Sequence, residues 1–457
     1  MTEKEYDVVI LGAGSGGYAC ALRSAQLGMS VALIEGDKVG GTCLHRGCIP
    51  TKALLHAAEV ADEMREGPSI GVKGSFEGID MAALNAYKNG VVEKMFKGLT
   101  GLVNASGVET ISGWGRLVAQ DTVEVNGERI KGKNIVLASG SYSKTIGQTI
   151  TDRVITSDKA LTMDTVPGSV IVLGGGVIGC EFASVWSSYG ADVTIIEGLD
   201  HLVPNEDEDV SKMLERSFRK RKIAFKTKTM FDRVEEDESG VHVFTQDGKQ
   251  YDAEYLLIAI GRGPSTANLG YEEQGITLDR GFVITNERLH TGVGNIYAVG
   301  DIVPGVQLAH RGFLQGLFVA DEIAGNNPAV PNEDNIPKVT FSNPEIASVG
   351  LSQKKAEEKF GKENVETSTF NLAGNGKSQM LGTTGFVKLV REKDGPIVGF
   401  HSIGARMGEQ VGEGMLMVAW ESYPEDFDGL IHAHPTQNES VGEAILALAG
   451  KPLHTHN

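Results

Sequence analysis

Residues 8–36, "VVILGAGSGGYACALRSAQLGMSVALIEG", set the architecture of this chain. An apolar stretch runs into a turn carrying Gly12, Gly14 and Gly17. An amphipathic segment follows, and then a second apolar stretch that ends in Glu35. That order reads as strand, glycine turn, helix, strand. A single G-x-G-x-x-G is weak evidence, but this one returns. "VIVLGGGVIGCEFASVWSSYGADVTIIEG" (170–198) repeats it at a constant offset of 162, so that Gly174, Gly176, Gly179 and Glu197 match Gly12, Gly14, Gly17 and Glu35. Twice over, each after a strand and each with an acid 23 residues beyond its first glycine, the pattern predicts two Rossmann-like dinucleotide-binding domains in an α/β fold.

The residue types follow from the chemistry. The first glycine makes the turn, the second lets backbone approach a pyrophosphate, and the third lets helix pack on strand. The phosphates then meet the positively polarised end of a helix. The acid accepts hydrogen bonds from ribose hydroxyls. Glu197, with no arginine in the "GLDHLVPNEDE" that follows, would repel a 2′-phosphate, which favours NAD over NADP.

Both copies close on an apolar strand running into glycine, "NIVLASG" (134–140) and "YLLIAIG" (255–261). A third such element, "NIYAVGD" (295–301), stands alone and ends in an acid. The expected division is a first dinucleotide domain at 1–146, completed by 269–334, a second at 147–268, and a third domain at 335–457. Within that last region "VTFSNPEIASVGLS" and "TGFVKLVREKDGPIVGFHSIG" suggest strands with helices between and after, hence an α+β domain.

A chain of 457 residues can form several cores. Its net charge of −18 argues against a nucleic-acid partner, since phosphate binding wants a basic face. The one basic patch, "RSFRKRK" (216–222), follows the acidic "NEDED" (205–209) and reads as a solvated helix face. The charged N-terminus enters a strand at once, so no export or transit segment is expected, and no apolar run is long enough to span a bilayer. Four cysteines in so long a chain are not a structural disulfide framework, which points to a reducing cytosol.

Two of those cysteines lie five residues apart in "GGTCLHRGCIPTK" (40–52). Taken alone, they are either a buried reduced pair or a disulfide that opens and closes during a reaction. Two dinucleotide domains favour the second, because a flavin can take a hydride on one face and exchange electrons with thiols on the other. The thiol loop, the doubled fingerprint, "AVGD" (298–301) and "HAHPTQNE" (432–439) together resemble the flavin-dependent pyridine nucleotide–disulfide oxidoreductases over nearly the whole chain.

The resemblance implies FAD and NAD as cofactors, no metal, and oxidation of protein-bound dihydrolipoamide through a redox-active Cys43–Cys48 disulfide. Cys43 would meet the substrate and Cys48 the flavin. Lys52 would lie near the flavin's reactive nitrogen, paired with Glu181. Glu35 would hold the adenosine ribose of FAD and Asp301 its ribityl chain. Gly12, Gly14, Gly17, Gly41, Thr42, Gly115, Ser139, Gly140, Ser141 and Ala309 would line the FAD, while Gly174, Gly176, Gly179, Glu197 and Gly261 would hold NAD. His434 would be the base that ionises the substrate thiol, with Glu439 as its partner, since an imidazole suits proton transfer near pH 7. Pro435 as the first residue of a helix would leave His434 just outside it. A homodimer is implied, the 335–457 domain forming its interface. So is docking of the lipoyl domain of the E2 component of a 2-oxoacid dehydrogenase complex, or of the glycine cleavage H protein.

Within this architecture the alternative is an NADPH-dependent reductase of a low-molecular-weight disulfide, against which Glu197 counts. A non-catalytic flavin-binding subunit is a further one, against which the retained cysteines and His434 count. His432 reads as structural, His45 as local packing, and Cys20 and Cys180 as inert thiols packed on the sheets. The family more often has asparagine–valine where this loop has His45-Arg46, a departure expected to bear on lipoyl-domain docking.

Overall fold

Strand Glu5–Leu11 is buried from Val8 to Leu11, the mark of a strand covered on both faces. It lies between the parallel strands Val31–Glu35 and Glu128–Leu137. Glu109–Ser112 adds outside the first of these and Ile296–Ala298 pairs with the second, both parallel. The "NIYAVGD" strand, outside both glycine copies, therefore joins the first sheet. Its apolar residues Ile296 and Ala298 are buried and complete the first sheet. An antiparallel ribbon, Gly115–Ala119 with Thr122–Val125, continues from Glu128–Leu137.

The repeat seen in the sequence extends to topology. Ser169–Leu173 is flanked by Asp192–Ile196 and Tyr255–Ile258, with Ala224–Lys226 and Val154–Ile155 outside them, all parallel. A three-stranded antiparallel sheet, Phe231–Asp237, Gly240–Thr245 and Gln250–Ala253, accompanies it. A five-stranded antiparallel sheet follows in the order Lys338–Thr340, Glu345–Gly350, Ile397–Gly404, Phe386–Glu392, Val365–Asn371. Helices Val411–Ala419 and Glu439–Leu448 share its apolar core. Fold class and the α+β character of the last region are as expected.

This computed structural model describes residues 5–454, which form two units. One comprises the chain up to Ala53 with Ala82–Lys144 and Gly261–Pro331, the other Leu54–Met81, Thr145–Ile260 and the chain from Asn332. Leu54–Met81 joins the second unit because the Tyr189 hydroxyl donates to the Leu54 carbonyl at 2.8 Å and the Ser188 hydroxyl to Asp62 at 2.7 Å. Gly261 and its neighbours join the first, where Arg262–Pro264 pairs with Ser141–Ser143.

Within the acidic "NEDED", Asn205, Glu208 and Asp209 are exposed and Asp207 is not. Asp207 is buried, capping helix Glu208–Lys220 through the Asp209 amide and accepting from the buried Lys388 ammonium at 2.9 Å. Glu206 accepts from the Ser348 hydroxyl at 2.5 Å. Paired in this way, neither charge meets the full penalty of burial. Arg216, Arg219, Lys220 and Lys222 do face solvent. His401 lies in the same region, its Nε2 donating to the Leu351 carbonyl at 2.9 Å. Burial pushes its pKa down, against the pull of Asp207 and Glu206.

A pH dependence follows from His401. Its imidazole resists protonation in the folded chain, whereas the unfolded one ionises near pH ~6.5. The stability from this group is full above that pH and is lost as pH falls below it. The urea midpoint should therefore drop between about pH 7.5 and 5.5, and His401→Gln should flatten the drop. An unchanged slope in that variant would contradict the assignment.

Candidate active site

In the first unit the glycine turn is built by backbone contact. Gly12 has φ +105°, and a Cβ there would lie 2.3 Å from the Ala138 carbonyl oxygen. A Cβ on Gly17 would lie 1.8 Å from the Gly12 oxygen, so helix Ser15–Gln26 rests directly on the turn. Gly14 differs, because a Cβ there would meet nothing within 4 Å. Its amide edge faces the open cleft, at the end of a helix where a phosphate is favoured.

The thiol loop docks on this turn. A Cβ on Gly41 would lie 2.7 Å from the Gly14 Cα, and the Gly40 amide donates to the Ala13 carbonyl at 2.8 Å. The thiol loop is itself helical at Gly41–Arg46, broken at Gly47, and helix Cys48–Glu66 begins at the second cysteine. Cys43 and Cys48 are both thiols and are hydrogen-bonded to each other. That bond with Cys48, then burial, pushes the Cys43 pKa far up, with Lys52 pulling the other way. Two adjoining thiols share one easy ionisation, and the second is opposed by the first charge. Burial, and after it the two thiols, push the nearby Tyr18 pKa up to about 12. Cys20 and Cys180 are fully buried and both are pushed up by burial, Cys20 to about 12, which suits inert packing.

A cleft of about 490 Å³ opens beside the turn, lined by Gly12, Gly14, Glu35, Gly41, Thr42, Gly115, Ser139, Gly140 and Ser141 among the expected residues. Trp114 walls it, its ring lying 2.4 Å from where a Cβ on Gly36 would sit. Glu35 Oε2 accepts from the Ala13 amide at 2.7 Å and Oε1 from the Asp37 amide at 2.8 Å. Those bonds aim the carboxylate without using all its lone pairs. The residues fit a dinucleotide: a carboxylate for ribose, an open glycine edge for phosphate, and an apolar wall. Beyond Ser141 the hydroxyl donates to Asp301 at 2.5 Å and accepts from Arg262 at 2.7 Å. The Ser139 hydroxyl accepts from the buried Tyr271 and donates to the Ser265 carbonyl, so it is already committed within the protein. Arg262 and Tyr271 were not anticipated from the sequence. Nothing local marks them, because their partners lie more than a hundred residues away. Ala309 opens helix Ala309–Ile323 and Lys52 is the fifth residue of Cys48–Glu66.

The second unit repeats the device atom for atom. Glu197 Oε2 accepts from the Gly175 amide at 2.6 Å and Oε1 from the Leu199 amide at 2.8 Å. Ala13 and Gly175, like Asp37 and Leu199, are again 162 apart. Gly174 has φ +107° against the Ala259 oxygen, a Cβ on Gly179 would lie 1.9 Å from the Gly174 oxygen, and Gly176 is open. Glu181 is buried on the helix that follows, accepting from the Phe341 amide at 3.0 Å. Gly261, φ +106°, belongs to the first unit.

His434 is exposed, and its Nδ1 lies 2.8 Å from Glu439 Oε1. Burial works against the Glu439 charge. The Thr436 amide and His434 outweigh it and hold the carboxyl below its ordinary value. Pro435 is not the first helical residue, since the helix begins at Glu439 and the His434–Pro435 bond is cis. His434 still lies outside the helix. His432 is largely buried, 2.9 Å from Glu413, and its ring fills the space a side chain on Gly442 would need. That matches a structural role.

The pyridine nucleotide-disulphide oxidoreductase family matches residues 6–316 and its dimerisation domain matches 336–445. A dihydrolipoyl dehydrogenase of Bacillus subtilis is 37% identical, over 98% of this chain and 99% of its own. Among solved structures, LpdA from Mycobacterium tuberculosis superposes with a TM-score of 0.91 at 25% identity, covering 97% of this chain and 99% of that one. The flavoprotein disulfide reductase RclA of Escherichia coli gives 0.87 at 27%, covering 98% and 100%. Among the described residues no helix is long and apolar enough to cross a membrane.

The open and closed glycines predict different phenotypes. Gly17→Ala should destabilise the fold by roughly 1–3 kcal/mol, because backbone must move to admit the methyl group. Gly14→Ala should leave stability within about 0.5 kcal/mol while weakening dinucleotide binding. Thermal melts and flavin content distinguish the two, and equal destabilisation would contradict the assignment.

Proposed function

The chain belongs to the pyridine nucleotide-disulphide oxidoreductase family, and on that premise we propose that it oxidises protein-bound dihydrolipoamide to lipoamide while reducing NAD⁺ to NADH. The observation that carries this reading is the Cys43–Cys48 thiol contact between two successive helices, the first seated against the glycine turn of a dinucleotide cleft. Residues 1–146 with 269–334 would bind FAD, 147–268 NAD, and 335–457 would form the interface of a homodimer.

In the resting oxidised form Cys43 and Cys48 are joined as a disulfide. His434, oriented by Glu439, takes the proton from a dihydrolipoyl thiol. The thiolate attacks the Cys43 sulfur, breaking the Cys43–Cys48 bond and releasing the Cys48 thiolate. The second lipoyl sulfur then closes the lipoyl disulfide and releases Cys43, its thiol proton passing to the departing Cys43 sulfur. Two electrons thus leave the substrate and reside on the thiol pair. FAD, when bound, supplies the two-electron chemistry that links this pair to NAD⁺. Lys52 and Glu181 would hold charge and orientation at the flavin, and Glu197 would receive the ribose of NAD. The occupant of the substrate side would be the lipoyl domain of an E2 component or of the glycine cleavage H protein, acting in the cytoplasm.

Cys48→Ser should keep bound flavin yet lose dihydrolipoamide turnover by at least about a thousandfold, the scale on which loss of a covalent-catalysis residue acts. Adding dihydrolipoamide to the native protein without NAD⁺ should raise a long-wavelength thiolate-to-flavin absorbance that the variant lacks. Ordinary turnover by Cys48→Ser, or a preference for NADPH over NADH, would overturn the proposal.

A further inference from the structure

His45-Arg46 departs from the family's commoner residues; His45 is half-buried, whereas the Arg46 side chain is about half exposed. His45 donates through Nε2 to the Val39 carbonyl, 2.9 Å away, and its ring meets Phe96 edge-on at 5.1 Å. Arg46, at the end of helix Gly41–Arg46, lines the dinucleotide cleft and pairs with Asp37 at 3.1 Å. Asp37 also lines that cleft, and its amide steers Glu35. Among the residues lining the cleft, Arg46 is the single cation, facing the carboxylates Glu35 and Asp37.

That balance poses an electrostatic problem. A dinucleotide brings a diphosphate dianion into a cleft that already holds two carboxylates. The glycine-turn amides and the helix end supply only partial positive charge. A guanidinium in the same cleft supplies a full one, in a planar fork suited to phosphate oxygens. From this charge balance we infer that Arg46 is a further FAD-binding residue, held by Asp37 in the ligand-free chain and sharing its charge with the diphosphate of FAD once that is bound. The inference rests on reading this cleft as the FAD site. It also couples the AMP half of the cofactor to the helix that carries Cys43, because Arg46 lies one turn beyond that thiol.

The test is the rate of FAD release from the purified holoprotein, followed by the gain in flavin fluorescence on dilution. Arg46→Val should speed release about five- to twentyfold at low salt, the scale of a charge-assisted contact that is partly exposed. High salt should shrink the difference, because screening weakens exposed charges. Arg46→Lys should recover most of the loss. Asp37→Asn frees the guanidinium from its competitor, so it should slow release or leave it unchanged. If the ion pair were only a brace between loop and helix, Asp37→Asn and Arg46→Val would both speed release, and that result would overturn the inference. Wild-type release from Arg46→Val would do the same while leaving the cleft's assignment intact. A native protein isolated without flavin would instead remove the reading on which both stand.

Discussion

The first unit depends on backbone touching backbone at glycines. Gly17 sits on the Gly12 carbonyl, Gly12 on that of Ala138, and Gly41 on the Gly14 Cα, each at a separation that no Cβ could share. One stack of close approaches thus joins strand, helix, cleft and thiol loop. Gly14, open on one side, is where the stack stops and a ligand can begin. The thiol pair owes its place to this contact, because the Gly40–Gly41 turn anchors the short helix bearing Cys43 against the dinucleotide turn.

Electrostatics completes what packing begins. Glu35 and Glu197 are each held by two backbone amides, one from the glycine turn and one two residues beyond the acid. The carboxylates are thereby fixed before a ribose arrives, so that orientation is not a cost of binding. At the thiols the balance reverses. Cys43 lies beside another thiol and partly out of water, where a second negative charge is strongly disfavoured. A base is then needed to ionise an incoming thiol, and the His434–Glu439 pair has the chemistry for it. His432–Glu413, two residues earlier, has similar geometry but is buried by Gly442, and burial separates a packing histidine from an accessible one.

The parts legible in the chain were those written locally or repeated. The doubled fingerprint specified strand, turn, helix and strand, because each glycine requirement is met within a few residues. The cysteine spacing marked the thiol pair, and the 162-residue offset carried through to individual hydrogen bonds. Elements whose meaning depends on distant partners were not legible. The "NIYAVGD" strand pairs with Glu128–Leu137, and that partner is too far away in sequence for anything local to name it. The burial of Asp207 had no local sign, because Lys388, which neutralises it, lies on a sheet formed 181 residues later.

Local composition alone thus determined that the chain would form glycine-turned dinucleotide clefts, each with a ribose-directed acid, and that two thiols would lie at one of them. Only tertiary packing decided which charges face inward, which serine hydroxyls are already taken, and that Arg46 enters the cleft. The physical reason is range. Backbone torsion and side-chain volume act between near neighbours, whereas the burial and pairing of a charge are set by whatever the folded chain brings beside it.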